Sequence, residues 1–175
     1  MARLRKGVCY RRLERPYTRV SKYRHLSFVK ARPHVIITKF DMGNVNGKYD
    51  VQIDLISKDS LQVRQQPIEA VRRALVRAFD KKIGNSNYHL RIRKFPHHIL
   101  RENPLATGAG ADRLSTGMKH SFGKPIGVAA QVFEGDPLFT IRTKKQFVDV
   151  VRQALKTNRA KLPGRWSIIV KEVPQ

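Results

Sequence analysis

Tyr49, Val51, Ile53 and Leu55 alternate with Asp50, Gln52 and Asp54, a period of two that predicts a strand with one buried face. Just upstream, His34 to Asp41 is rich in Val and Ile and predicts a second strand. Asn46-Gly47 lies between them, and because both residues tolerate positive φ, a tight turn is expected to join the two strands as a hairpin. The period then changes. Pro67 suits a first helical turn, where its missing N–H costs nothing. Ile68, Val71, Leu75 and Phe79 recur at helical spacing, supported by Ala70, Ala74 and Ala78, while Arg72, Arg73, Arg77, Lys81 and Lys82 cover the other sides. Gly84-Asn85 has the chemistry of a helix C-terminus.

Tyr88 to Phe95 returns to the strand period, with Tyr88, Leu90 and Ile92 on one face and His89, Arg91 and Arg93 on the other. The second of these faces is expected to lie on RNA. Ile126 to Phe133 and Pro137 to Arg142 read as another strand pair, turning through Glu134-Gly135-Asp136. Thr143 and Gln146 have the spacing of a capping box ahead of Phe147, Val150, Val151, Ala154 and Leu155, a second amphipathic helix. Pro163-Gly164 breaks the chain before a last strand, Trp166 to Val173. The alternation predicts an α+β fold: residues 33–175 as a single compact domain of mixed sheet covered by two main helices. With 175 residues, 41% of them hydrophobic, the chain can fill one core.

Charge divides the chain differently. Its net charge is +23, and residues 1–32 carry 11 Lys and Arg against the single acid Glu14. This segment, interleaved with Tyr10, Tyr17, Tyr23 and Phe28, reads as a basic extension rather than as part of a packed core. Like-charge repulsion and low apolar content predict that it is disordered until RNA neutralises it. Residues 67–101 add +7, whereas residues 33–66 are neutral. Such asymmetry marks contact surfaces for a phosphate backbone, whose released counterions drive binding. The candidate rRNA-binding residues are Arg3, Arg5, Lys6, Arg11, Arg12, Arg15, Arg19, Lys22 and Arg24 in the extension, and Arg72, Arg73, Arg77, Arg91 and Arg93 in the domain. Any one of these arginines can instead pair with an acid such as Glu69 or Asp80.

From about Arg101 to Pro125 no periodicity is sustained and the charge is low, so a long loop is expected. Its glycines permit close backbone approach, and a glycine-rich loop carrying few charges suits a narrow RNA-lined space. The candidate residues here are Arg101, Gly108, Gly110, Arg113, Gly117, Lys119, His120 and Lys124.

Several chemistries are excluded. Gly123-Lys124 has Met118 where a phosphate-binding loop needs glycine, and Pro125 follows it. Gly108-Ala109-Gly110 lacks the third glycine of a dinucleotide fingerprint. His97 and His98 point to opposite sides of an extended chain, and no Cys or acidic cluster accompanies them, so no metal and no cofactor is expected. Cys9 is the only cysteine, which fits a reducing compartment. No apolar run is long enough for a membrane span, and the charged N-terminus lacks a signal-peptide core, so a cytoplasmic location without membrane partners is expected. The scattered acids offer no catalytic constellation, which leaves an RNA-acting enzyme, a nuclease or modifying enzyme with a basic docking arm, as the alternative reading.

Ile68-Glu69-Ala70-Val71-Arg72-Arg73-Ala74 and Ala160-Lys161-Leu162-Pro163, with Cys9-Tyr10-Arg11, Pro16-Tyr17, Ala109-Gly110-Ala111-Asp112-Arg113-Leu114, Thr116-Gly117-Met118, Phe122-Gly123-Lys124-Pro125 and Ile141-Arg142-Thr143-Lys144, resemble a known family. It is the universal L-sixteen family of large ribosomal subunit proteins, in its archaeal and eukaryotic L-ten-e branch. The resemblance spans nearly the whole chain. It implies an α/β-hammerhead-like fold seated on large-subunit rRNA at the base of the central protuberance, beside neighbouring ribosomal proteins. It also implies that the loop of residues 101–125 projects toward the peptidyl transferase centre and helps position A-site and P-site tRNA. The chain stops at Gln175, without the C-terminal extension of eukaryotic members, so an archaeal source is expected.

Overall fold

A computed structural model describes residues 4–18, 21–27, 29, 31–103, 108–110 and 122–173. Among them are eight strands and two α-helices: β1 (Asp41–Gly43), β2 (Val51–Ser57), β3 (Leu61–Arg64), α1 (Gln65–Lys82), β4 (Tyr88–Ile92), β5 (His98–Glu102), β6 (Lys124–Val132), β7 (Pro137–Thr143), α2 (Val148–Asn158) and β8 (Trp166–Glu172). The α+β class holds. The sheet, however, is two: a five-stranded sheet in the order β1-β4-β7-β2-β8 and a three-stranded sheet in the order β3-β6-β5. Every pairing in both is antiparallel.

α1 follows the predicted pattern. Pro67 is its third residue, and Ile68, Val71, Leu75 and Phe79 are each wholly buried, each side chain contributing about 1.5–3 kcal/mol relative to exposure. Phe79 meets the Tyr88 ring edge-on at 5.2 Å. The Tyr88 hydroxyl donates to Asp80 at 2.8 Å, and burial, with that carboxylate beside it, pushes the phenol well above its usual range. Ile83 and Gly84 both donate their N–H to Phe79 O and close the helix. In α2, Val151 and Leu155 are buried in the same core.

Three local expectations fail. Residues 34–40 form no strand, and β1 pairs with β4 rather than with β2. The apolar face of β2 is flanked instead by the longer β7 and β8. The turn at Asn46 is held by its amide donating to the Asn44 side chain at 3.1 Å, with Gly47 outside the positive-φ region. The glycine requirement falls at Gly43, whose φ is +82 and where a Cβ would stand 2.2 Å from Tyr88 O. Likewise β6 and β7 belong to different sheets. Their turn is tied to the end of β2, where Gly135 N–H donates to Ser57 O and Ser57 N–H donates to Asp136 O. Finally, no capping box forms. Thr143 is the buried last residue of β7 and gives its hydroxyl to Asn87 O at 3.2 Å, while a 3-10 turn, Lys145–Phe147, leads into α2.

Candidate nucleic-acid interface

The three-stranded sheet positions the extension. Its inner face gives Leu61, Val63, Ala130 and Val132 to the main core. Gln62 and Gln131 are register partners, and His98 pairs with Ala129 two residues before Gln131, so the strand period puts all three side chains on the opposite face. All three are buried, and each holds backbone of the extension. Gln62 Nε2 donates to Arg12 O at 2.6 Å and Tyr10 O at 3.3 Å, and the Gln62 amide donates to Arg11 O. Gln131 Nε2 donates to Glu14 O at 2.6 Å and to Gln62 Oε1 at 3.1 Å. Tyr17 N–H donates to His98 Nδ1 at 2.8 Å, and Ile99 N–H returns to Tyr17 O.

This corrects the expectation of a free, disordered arm: residues 4–18 run over the polar face of a sheet. His98 must be neutral at Nδ1 to accept the Tyr17 amide, and burial lowers its pKa accordingly, helped by His97 and Arg101 against the pull of Glu14. Apolar contacts add to the clasp. Leu4 lies against Gly127, and Val29 packs with Ile99 and Val128 in a small cluster flanked by Tyr17 and Val35.

Backbone faces inward, so the cations face out. Arg5, Lys6, Arg11, Arg12, Arg15, Lys22 and Arg24 are all exposed. Arg3 and Arg19 lie outside the described residues. Arg5 is paired with Glu102. Arg101, at the edge of β5, stacks on the Tyr17 ring at 3.7 Å, and Arg64 lies over Tyr10 while donating to Arg5 O.

The domain arginines divide. Arg72 makes a bidentate pair with Glu69 at 2.7 and 2.6 Å and is only 16% exposed. Arg73 shares that carboxylate but is 69% exposed. These donors, Arg72 first, hold the Glu69 carboxyl below its usual range despite its burial. Arg77 and Arg93 are exposed and make no ion pair among the described residues, and Arg91 reaches Asp41 only at 3.7 Å. Arg73, Arg77 and Lys81 line an open groove of about 1020 Å³ along α1. His89, expected on the cationic face of its strand, is buried and bonded to Asp41 at 2.9 Å.

In the loop, β5 runs to Glu102 and β6 begins at Lys124, so Arg101 and Lys124 are strand residues. Gly108 and Gly110 have positive φ and open space around them. Arg113, Gly117, Lys119 and His120 lie outside the described residues. At Gly123 the close approach is to the chain itself: a Cβ there would stand 2.5 Å from the Glu102 carbonyl carbon.

Gln62, Gln131 and His98, which hold the backbone of the extension, were not among the expected binding residues. Leu61–Arg64 and His98–Glu102 were not expected as strands, and Gln131, which did lie in an expected strand, is at an outward position indistinguishable in one dimension from a solvent-facing one. No group of three or more His, Cys, Asp or Glu able to hold a metal occurs among the described residues. No helix among them is long and apolar enough to cross a membrane.

The family described as ribosomal protein L16p/L10e matches residues 14–169. The chain is similar to proteins named large ribosomal subunit protein uL16 from three archaea. That of Archaeoglobus fulgidus is 39% identical over 93% of this chain and 90% of its own. That of Methanoculleus marisnigri is 41% identical over 87% and 89%, and that of Sulfolobus acidocaldarius is 41% identical over 94% and 92%.

Proposed function

The chain belongs to the ribosomal protein L16p/L10e family, and from that premise we propose that its docked extension and the outer surface of α1 and β4 form the rRNA contact, while the loop between β5 and β6 helps position tRNA. As a member of this family it is a structural constituent of the large ribosomal subunit, of archaeal type, and not an enzyme. Its partners are large-subunit rRNA and neighbouring ribosomal proteins, and it works in the ribosome, in the cytoplasm.

One observation carries the assignment. The extension gives its carbonyls to buried Gln62 and Gln131, so Arg11, Arg12 and Arg15 are held outward on a fixed backbone. Cations placed in advance lose less conformational entropy on meeting phosphate than cations on a free tail. Phosphate contacts of this kind position the protein without reading bases. Within the domain, Arg73, Arg77, Arg91 and Arg93 should contribute more than Arg72, whose fork is already filled by Glu69.

Salt dependence tests this. Each phosphate contact removed should flatten the plot of log affinity against log salt by roughly 0.7–0.9. Replacing Arg72, Arg73, Arg77, Arg91 and Arg93 together by Gln should reduce the slope on a large-subunit rRNA fragment, and Arg72→Gln alone should barely move it. An unchanged slope in the fivefold variant would refute the assignment. For the loop, exchanging residues 104–118 for a short Gly-Ser linker touches none of the apolar stripes of the predicted strands and helices. Such a protein should enter large subunits yet slow tRNA accommodation or final maturation of the active centre. Equal tRNA-binding and peptide-bond rates would reduce the loop to a tolerated insertion.

A further inference from the structure

A second basic groove lies apart from the extension and from α1. Of about 660 Å³, it runs between α2 and β8 and is walled by Lys58, Arg152, Lys156 and Arg159, with Asp149 as its one acid. Arg152 and Lys156 share one side of α2 at i and i+4, and Arg159, which opens the 3-10 turn after the helix, lines the same groove. Asp149, the acid in the lining, forms no ion pair with these cations among the described residues, and Glu172, Asp59 and Asp54 are engaged by Lys145, Arg165 and Lys171. Among the described residues, therefore, Lys58, Arg152, Lys156 and Arg159 are exposed cations with no carboxylate partner. Holding four like charges together has no folding benefit, because each pair repels.

We propose that this groove binds the phosphate backbone of a double-stranded RNA segment, as a contact separate from the extension. Its chemistry selects a duplex. Unpaired RNA is recognised by stacking its bases on exposed rings, and the one aromatic here, Trp166, is 5% exposed. The Trp166 indole N–H is also spent on Pro163 O at 2.7 Å. Apart from Asp149 and Ile168, what remains are cations and the polar side chains of Gln153 and Ser167, which suit phosphate and sugar oxygens. The inference rests on reading the chain as an rRNA-binding protein, but it uses none of the residues on which that reading stands.

The test uses the full chain, a blunt RNA duplex and a single strand of equal length. Replacing Lys58, Arg152, Lys156 and Arg159 by Gln should flatten the salt slope on the duplex by roughly 3, with a smaller change on the single strand. Arg11, Arg12 and Arg15 replaced by Gln form the parallel variant. If only the parallel variant loses slope, the groove is overturned and the extension interface stands. If only the groove variant loses slope, the reverse holds. A loss on the single strand as large as on the duplex overturns the duplex assignment. Lysine acetylation of the unaltered protein reads the same site independently of variant folding. Lys58 and Lys156 should be protected by the duplex, and full reactivity of both in its presence would overturn the proposal.

Discussion

The five-stranded and three-stranded sheets are covered in opposite ways. The first is closed by helices, with α1 and α2 pressing Phe79, Leu75, Val151 and Leu155 into an apolar core. The second is apolar only toward that core. Its other face is closed by the chain's own basic extension, through side-chain amides and an imidazole that bind backbone. The difference follows from what each cover must do afterwards. A helix satisfies its own backbone hydrogen bonds and has an apolar stripe to bury, but an extension that presents arginines outward has little apolar surface to bury. It is therefore held by its peptide groups, the one part of it that need not face the RNA.

The contrast can be broken first in the apolar half. Phe79→Ala removes a wholly buried ring in contact with Tyr88 and should cost about 3–5 kcal/mol, read as a lower denaturation midpoint for the whole domain. A loss under about 1 kcal/mol would mean the core is far less tightly packed than the burial implies.

In the polar half the expected loss is smaller and local. Gln131→Leu leaves Glu14 O without its donor and Gln62 Oε1 without a partner, which should cost about 1–3 kcal/mol. Amide exchange should accelerate at Arg11 and Tyr17 while α1 keeps its protection. Uniform acceleration across both would show that the two halves unfold as one unit.

The smallest effect sharpens the comparison by pH. Because burial lowers the His98 pKa, the folded state binds fewer protons there than the unfolded chain. The stabilisation is fully present above the unfolded value of about 6.5 and is lost as pH falls through the lower folded value. Protection of the Tyr17 amide, measured against its base-catalysed intrinsic exchange rate, should fall as pH falls over that window, and His98→Phe should remove it at every pH. A Tyr17 protection factor indifferent to pH from 5 to 8, taken as roughly the window of histidine titration, would remove His98 from the clasp.

Apolar periodicity in the sequence was enough for α1, α2, β2 and β4, because it is a local property and burial is what the period reports, whereas β8 was marked only by the break at Pro163-Gly164 and is exposed from Ile169 onward. The sequence by itself also determined that the extension and α1 present cations. Which strands pair was decided only in three dimensions. β1 joins β4 and β6 parts from β7 because the long β2 needs a neighbour along each edge, and no local turn signal outweighs that demand. The clasp was equally invisible. Gln62, Gln131 and His98 lie far apart in sequence, and a polar residue at an outward strand position looks the same whether it meets water or a peptide group. Only the docked extension, brought back across β3, β6 and β5, turns them into donors and an acceptor with something to hold.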